Sequence, residues 1–326
     1  SSSSSSGTRS ASRPPRVATS TTAKHRQQVV DLEDVRECPT EQLEEFISSY
    51  HKMLNPGGVS AAVARVATKN VEMFGEAFRR GAEETGQFPV LKTLPPVLHL
   101  LFDAARDTAP NMSANQAAAA LHGFMRLGQR MPVPQATVDA LSQCVALKAP
   151  YLSPWASANA IHSMMEFTNP QRAARLRPAP TSVLDAVCGA VQRTAGNGMV
   201  ARDLAMVVTR LSYAVPKPQR GHPEVIKKLE GVMKSINAGV IREFADPMVA
   251  HNIRLQYFAG AVAAYHPLLS LFAPNGKENW PLDVVEDADA IFSSLSHAAE
   301  KIIPGAGDAD VTLVLAGLGT LKQAID

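Results

Sequence analysis

Apolar residues recur along the chain at steps of three and four, the spacing that places them on one face of an α-helix. The steps are clear at Leu94, Leu98 and Leu101, and again over residues 225–232. Strict alternation of apolar and polar residues over a strand length does not occur in the sequence. Prolines fall mainly between the helical segments or at their first turns, where a missing N–H is tolerated. The pattern predicts an all-α protein.

One helical segment occurs twice in the sequence. Residues 113–127 align without a gap on residues 153–167, and both copies begin with a serine, a residue suited to capping a helix. The copies share a histidine, at His122 and His162, and they carry large apolar residues at matching steps. Self-similarity at a period of this length is typical of stacked helical repeats.

A second helix is predicted after each copy, over residues 137–145 and 182–191, so the repeating unit is a helix pair. A weaker third unit covers 199–233. A fourth is predicted from 246–265, with its partner helix at 282–303, followed by a lone first helix at 309–325, and the apolar residues 268–272 are predicted to form a packed turn. We therefore expect an α-solenoid of stacked helical hairpins over residues 31–326, with its clearest repeats at 111–150, 151–195 and 199–236.

The first thirty residues differ in kind from the rest. They are rich in serine and threonine and contain five basic residues and no acidic one. Such a segment cannot bury enough apolar surface to fold alone, and its composition is also typical of an organelle transit peptide. We expect residues 1–30 to form an extended basic tail that a partner surface orders. The alternative is a leftover disordered leader.

Charge limits the nucleic-acid surface that the chain can offer. The sequence has 32 Lys and Arg against 30 Asp and Glu, so without the five bases of the tail the body has 27 against 30 and a net charge of −3. That argues against a protein that coats nucleic acid along its whole length.

Basic residues do concentrate in the loops within successive repeats, and equivalent loops of a solenoid stack on one edge. The resulting stripe would suit a phosphate backbone; the alternative is that these bases only solubilise exposed loops. The predicted RNA contacts, in the tail and the loops, are Arg9, Arg13, Arg16, Arg130, Arg172, Arg175, Arg177, Lys217 and Arg220.

Catalytic motifs of the phosphate-binding, dinucleotide-binding, zinc-protease and serine-hydrolase types are missing from the sequence. The three cysteines form no C-x-x-C pair and are expected to be small buried residues of a protein in a reducing compartment. His122 and His162 have no third ligand nearby in sequence, so we expect a structural pair rather than a metal site. No apolar run reaches the length of a membrane span. We predict a non-enzymatic protein without cofactor, metal or membrane span.

The second copy of the repeat resembles the first-helix motif of organellar octotricopeptide-type and heptatricopeptide-type repeat proteins, which are related to FAST-kinase-like proteins. The resemblance covers about residues 110–215 and rests on Leu152, Ser153, Pro154, Ala158, Asn159, Ile161 and Met164. It implies a protein of the mitochondrial matrix, with the plastid as the alternative, and RNA or ribosomal partners.

Taken with the basic tail and loops, the resemblance predicts a structural, RNA-associated scaffold protein of a mitochondrial ribosome. Its tail and loop stripe would contact ribosomal RNA, and its other surfaces would contact neighbouring proteins of a large assembly. Two alternatives remain open. One is a free helical-repeat factor for RNA maturation or translation. The other is an accessory scaffold subunit of a respiratory-chain complex.

Overall fold

The computed structural model of the protein describes residues 29–85, 94–167, 176–177, 179–214, 223–246, 248, 253–272 and 282–325. Within these residues the chain is α-helical, apart from short 3-10 turns and one isolated β-bridge between Val30 and Leu54. The prediction of an all-α protein is confirmed.

The helices present apolar faces, as the three- and four-residue apolar spacing predicted. In chain order they are α1 (Leu32–Glu37), α2 (Leu43–Tyr50), α3 (Pro56–Thr85), α4 (Pro96–Thr108), α5 (Ala114–Leu127), α6 (Gln135–Leu147), α7 (Pro154–Phe167), α8 (Thr181–Asn197), α9 (Ala201–Ala214), α10 (Pro223–Ala245), α11 (Leu255–Phe272), α12 (Leu282–Ile302) and α13 (Asp308–Ile325).

The helices form two layers. In the first layer α3, α5, α7, α9, α11 and α13 each pack on the next member of that series. In the second layer α2, α4, α6, α8, α10 and α12 do the same. Antiparallel neighbours such as α5 and α6, or α7 and α8, connect the two layers as hairpins. This is the arrangement of an α-solenoid, in which each repeat buries its apolar face against its neighbours.

The two copies of the repeated segment are neighbouring parallel helices, α5 and α7. Near their N-termini the Ser153 backbone N–H donates to Asn115 Oδ1 at 3.0 Å, and in their middles the rings of His122 and His162 are 5.5 Å apart. The matching apolar residues are at most 4% exposed: Leu121, Phe124, Ile161 and Met164. Prediction and structure agree on the repeat and on its core positions.

Small residues allow the first-layer helices to approach closely. A Cβ added at Gly123 would lie 2.6 Å from Val63 Cγ1 on the preceding helix of that layer. The same constraint recurs further along, where a Cβ at Gly317 would lie 2.8 Å from Val262 Cγ1. Ser163 occupies in α7 the repeat position of Gly123 and is fully buried. Small residues at these contacts therefore set the distance between neighbouring first-layer helices.

The fourth unit differs from its prediction at both ends of its first helix. Helix α11 begins at Leu255 and continues through Pro267 to Phe272, so the predicted packed turn at 268–272 is wrong. A proline inside a helix removes one backbone hydrogen bond and costs about 3 kcal/mol. Tyr265 and Leu268, on either side of it, are buried at 0% and 1% exposure, and their packing keeps the segment helical.

Candidate nucleic-acid interface

Two of the predicted RNA contacts lie together on what we call the loop edge, where first helices end and second helices begin. Arg177 has an 82% exposed side chain with its guanidinium 3.9 Å from the Asp139 carboxylate, and its backbone N–H donates to Gln135 Oε1 at 2.8 Å. Both partners are on α6. Arg130, in the turn before α6, is half-buried, and its guanidinium carbon lies 5.6 Å from the ring centroid of Phe78.

These contacts give the two arginines different characters. Arg130 packs on an aromatic ring, whereas Arg177 stays open to solvent beside the Asp139 carboxylate. The remaining predicted contacts lie outside the described residues, and the stripe that they would complete stays a prediction; they are Arg9, Arg13, Arg16, Arg172, Arg175, Lys217 and Arg220.

A second row of bases, which the sequence analysis missed, lies on the opposite edge of the solenoid. We call this the junction edge, because here a second helix ends and the next repeat begins. Arg193, on α8, donates from Nη2 to the backbone carbonyls of Ala149 at 3.0 Å and Leu152 at 3.5 Å. Those carbonyls belong to the junction between α6 and α7.

The same contact recurs one repeat to either side. The bases are Lys148 and Arg242, and their carbonyl acceptors are those of Pro110 and Met112 for Lys148, and of Gly196 and Met199 for Arg242. Carbonyls at the end of a helix have no partner within it, and a cation there satisfies them and complements the helix dipole. A base near the end of each second helix, at a spacing of 45 and then 49 residues, is the sequence signal that would have found this row.

Two exposed aromatic side chains lie at the junction that Arg193 binds. Tyr151, in the junction that Arg193 binds, is 81% exposed, and Trp155, in the first turn of α7, is 43% exposed. Lys148, Tyr151, Trp155 and Arg193 form what we call the aromatic patch. The sequence has no acidic residue from position 140 to position 165. The patch therefore combines positive charge with open aromatic faces.

The histidine pair lies inside the helix stack. The rings of His122 and His162 are tilted by 58° to one another, and His162 is 5% exposed, with the buried Glu166 one turn further along α7. Among the residues that the structure describes, no group of three or more His, Cys, Asp or Glu side chains could hold a metal ion. His162 is therefore a buried residue of the helix stack, whereas His122 is half-buried.

The cysteine side chains are buried, as predicted. Cys144 Sγ donates to the Met112 carbonyl at 3.6 Å. Burial raises the pKa of the Cys38 and Cys144 thiols above their ordinary value, which keeps them in the unreactive protonated form.

Comparison of the chain with protein-family models, with curated proteins and with solved structures gives no match. None of the helices in the described part of the chain is long and apolar enough to cross a membrane.

Proposed function

We propose that the protein is a non-enzymatic helical-repeat scaffold that binds RNA within an organellar ribosome, in the mitochondrial matrix. The observation that carries the proposal is the aromatic patch. Two exposed aromatic rings lie beside Lys148 and Arg193, in a stretch of sequence without a carboxylate.

Such a surface suits single-stranded RNA for two physical reasons. Bases stack on aromatic side chains with about 1–3 kcal/mol per base, whatever the sequence. Cations beside them attract the phosphates. Lys148 and Arg193 donate to neutral carbonyls, so their charge is not cancelled by the contact that holds them in place. A fixed cation loses less side-chain entropy on binding than a freely rotating one.

The distribution of charge also explains why contact with RNA would be confined to a small area. With the tail set aside, the body has a net charge of −3, so the patch is a local positive region on a slightly acidic body. A scaffold that touches RNA at a few points and proteins elsewhere needs that distribution. A free factor that coats a transcript would need a cationic face along its length.

Equilibrium binding of the full chain to a single-stranded oligoribonucleotide, measured over a range of salt concentrations, tests the proposal. Affinity should fall as salt rises, with a log–log slope of about −0.7 for each phosphate contact. Tyr151→Ala should weaken binding by about 1–3 kcal/mol without changing that slope, because it removes a stacking surface and no charge.

Tyr50→Ala provides the matched control, since Tyr50 is also an exposed tyrosine, at 40%, but lies on α2 far along the solenoid from the patch. It should leave binding unchanged. Binding that is absent at low salt, or that responds equally to both substitutions, would rule out the patch as an RNA surface.

A second candidate, a protein scaffold without RNA contact as in a respiratory-chain complex, is favoured by the same exposed aromatics. Tyr, Trp and Arg are enriched at the centres of protein interfaces. Under that candidate the chain would bind no oligoribonucleotide, and Tyr151→Ala would instead impair incorporation into the assembly.

A further inference from the structure

Helix α13 is apolar on both of its sides, although only one side is covered. Residues 311–321 contain no charged side chain. One side, with Val314, Leu321 and Ile325, is buried against the solenoid. The other side exposes Leu315 at 55%, and beside it lie the exposed small residues Thr312, Ala316 and Gly319. A helix that is hydrophobic all round is normally buried all round.

The opposite end of the solenoid is built differently. The exposed side chains of α1 and of the turns up to α2 are mostly charged, and they include Glu33, Asp34, Arg36, Glu37, Glu41, Glu44 and Glu45. Solenoids require end units with a polar outer face to stay soluble. In the described part of the chain, the α1–α2 end meets that requirement, whereas no helix covers the outer face of α13.

We propose that the outer face of α13 docks a second copy of this chain, with the two α13 helices antiparallel. The helix is self-complementary about its midpoint: Asp308 lies in the first turn and Lys322 in the last, each seven residues from Leu315. A twofold axis near Leu315 and Ala316 brings Asp308 of each helix towards Lys322 of the other, whose ammonium also lies 5.6 Å from the ring centroid of Phe292 on α12. The two helix dipoles also oppose one another.

The shape of the face fits the same register. The twofold axis sets Leu315 of one copy against Ala316 of the other, and Thr312 against Gly319. A Cβ added at Gly319 would meet nothing within 4 Å, so the space above this glycine is open to Thr312 of the second copy. Small residues at this position match the way Gly123 and Gly317 admit their neighbours inside the solenoid.

A head-to-tail contact between copies is disfavoured by the charges. It would press the uncharged face of α13 onto the acidic α1–α2 end and remove carboxylates from water without partners. A contact between identical faces avoids this cost and closes as a dimer rather than growing into a filament. The proposal does not depend on RNA binding.

Sedimentation equilibrium of the 326-residue chain over a range of concentrations tests the proposal. The mass should rise with concentration from that of the 34.8 kDa chain to twice that value and no further. Leu315→Glu should leave only monomer. Leu147→Glu is the matched control, because Leu147 is an equally open leucine, 72% exposed, on the junction edge, and this variant should dimerise as the parent does.

Charge reversal provides an independent test of the dimer. Lys322→Glu should raise the dimer dissociation constant by about 2- to 5-fold for each exposed ion pair lost, and adding Asp308→Lys should restore it. Ala316→Cys should form a disulfide-linked dimer under mild oxidation, since it lies beside the axis. A chain that stays monomeric, masses beyond the dimer, or equal loss of dimer in the Leu315 and Leu147 variants would each overturn the proposal.

Discussion

The guanidinium of Arg193 donates a hydrogen bond to the backbone carbonyl of Ala149 at 3.0 Å, which joins the second helix of one repeat to the end of the repeat before it. Lys148 and Arg242 make the equivalent contact in the neighbouring repeats. A solenoid is stabilised mainly by contacts between adjacent repeats. These three bases therefore stabilise three successive repeat junctions, and they also place a positive charge at each of the three.

Arg193→Ala should lower the free energy of unfolding by about 1–3 kcal/mol, because it leaves two junction carbonyls without their charged donor. Urea denaturation followed by circular dichroism measures the change. Arg36→Ala is the control. Arg36 forms an ion pair with Glu33 on the surface, where their side chains are 60% and 65% exposed. Such surface pairs contribute about 0–1 kcal/mol to stability. Equal losses in the two variants would show that Arg193 is an ordinary surface base.

Gly123→Ala should destabilise the protein by about 1–3 kcal/mol through overpacking, since the new Cβ would lie 2.6 Å from Val63 Cγ1 and 3.3 Å from the Val63 backbone. Gly75 lies within α3, and a Cβ added there would meet nothing within 4 Å. Gly75→Ala should therefore stabilise the protein by about 0.5–1 kcal/mol. The same unfolding experiment compares them. In a Val63→Ala background the cost at Gly123 should shrink; a cost that persists there would argue against this contact as its cause.

Much of the fold could be predicted from the sequence because the repeat encodes it locally. The serine caps, the apolar steps and the small residues of α5 and α7 lie at the same places in both copies. Leu121 and Ile161 are buried as that alignment requires. The continuation of α11 through Pro267 was not predictable in this way, because packing around Tyr265 and Leu268 outweighs the local effect of the proline.

The candidate interface was harder to predict than the fold. Counting bases in loops indicated the loop edge, where Arg177 does lie exposed. It could not indicate the junction edge, because Lys148 and Arg193 lie within or at the ends of helices and their acceptors are backbone atoms about forty residues earlier. The exposure of Tyr151 also depends on how successive junctions stack, which is a tertiary property.

Tyr265 makes the free energy of unfolding depend on pH in the alkaline range. The ring is fully buried, and its hydroxyl has no hydrogen-bond partner among the residues that the structure describes. Burial, together with the negative charge of Asp287, holds the pKa of Tyr265 well above its ordinary value of 10.0. The unfolded chain can ionise near pH 10 and the folded one cannot, so this contribution to stability is complete below pH 10 and is lost as the pH rises further.

Above pH 10 the ionisation of Tyr265 in the unfolded chain should lower the parent's free energy of unfolding by about 1.4 kcal/mol per pH unit. The Tyr265→Phe variant should not show this decrease. At pH 7 it should be no less stable than the parent, because the substitution deletes a desolvated hydroxyl and keeps the ring. Unfolding curves at pH 7, 10 and 11 for both proteins test this. Parallel losses of stability above pH 10 would contradict the assignment.

The thiols should be inert while the protein is folded. Cys38, Cys144 and Cys188 are at most 9% exposed, and burial raises the pKa of the first two. An aromatic disulfide reagent at pH 7 should label none of them quickly in the native protein and all three after denaturation. Fast labelling of Cys144 in native protein would show that its contact with the junction between α4 and α5 opens readily.

Sedimentation of the native protein from organelle extracts, with and without ribonuclease treatment, tests the central claim most directly. The account predicts that the protein co-migrates with a ribosomal subunit and that digestion of the RNA releases it or shifts it to lighter fractions. Tyr151→Ala should reduce the fraction that co-migrates. Migration with a membrane complex, unchanged by ribonuclease, would contradict the account and favour a scaffold that contacts only proteins.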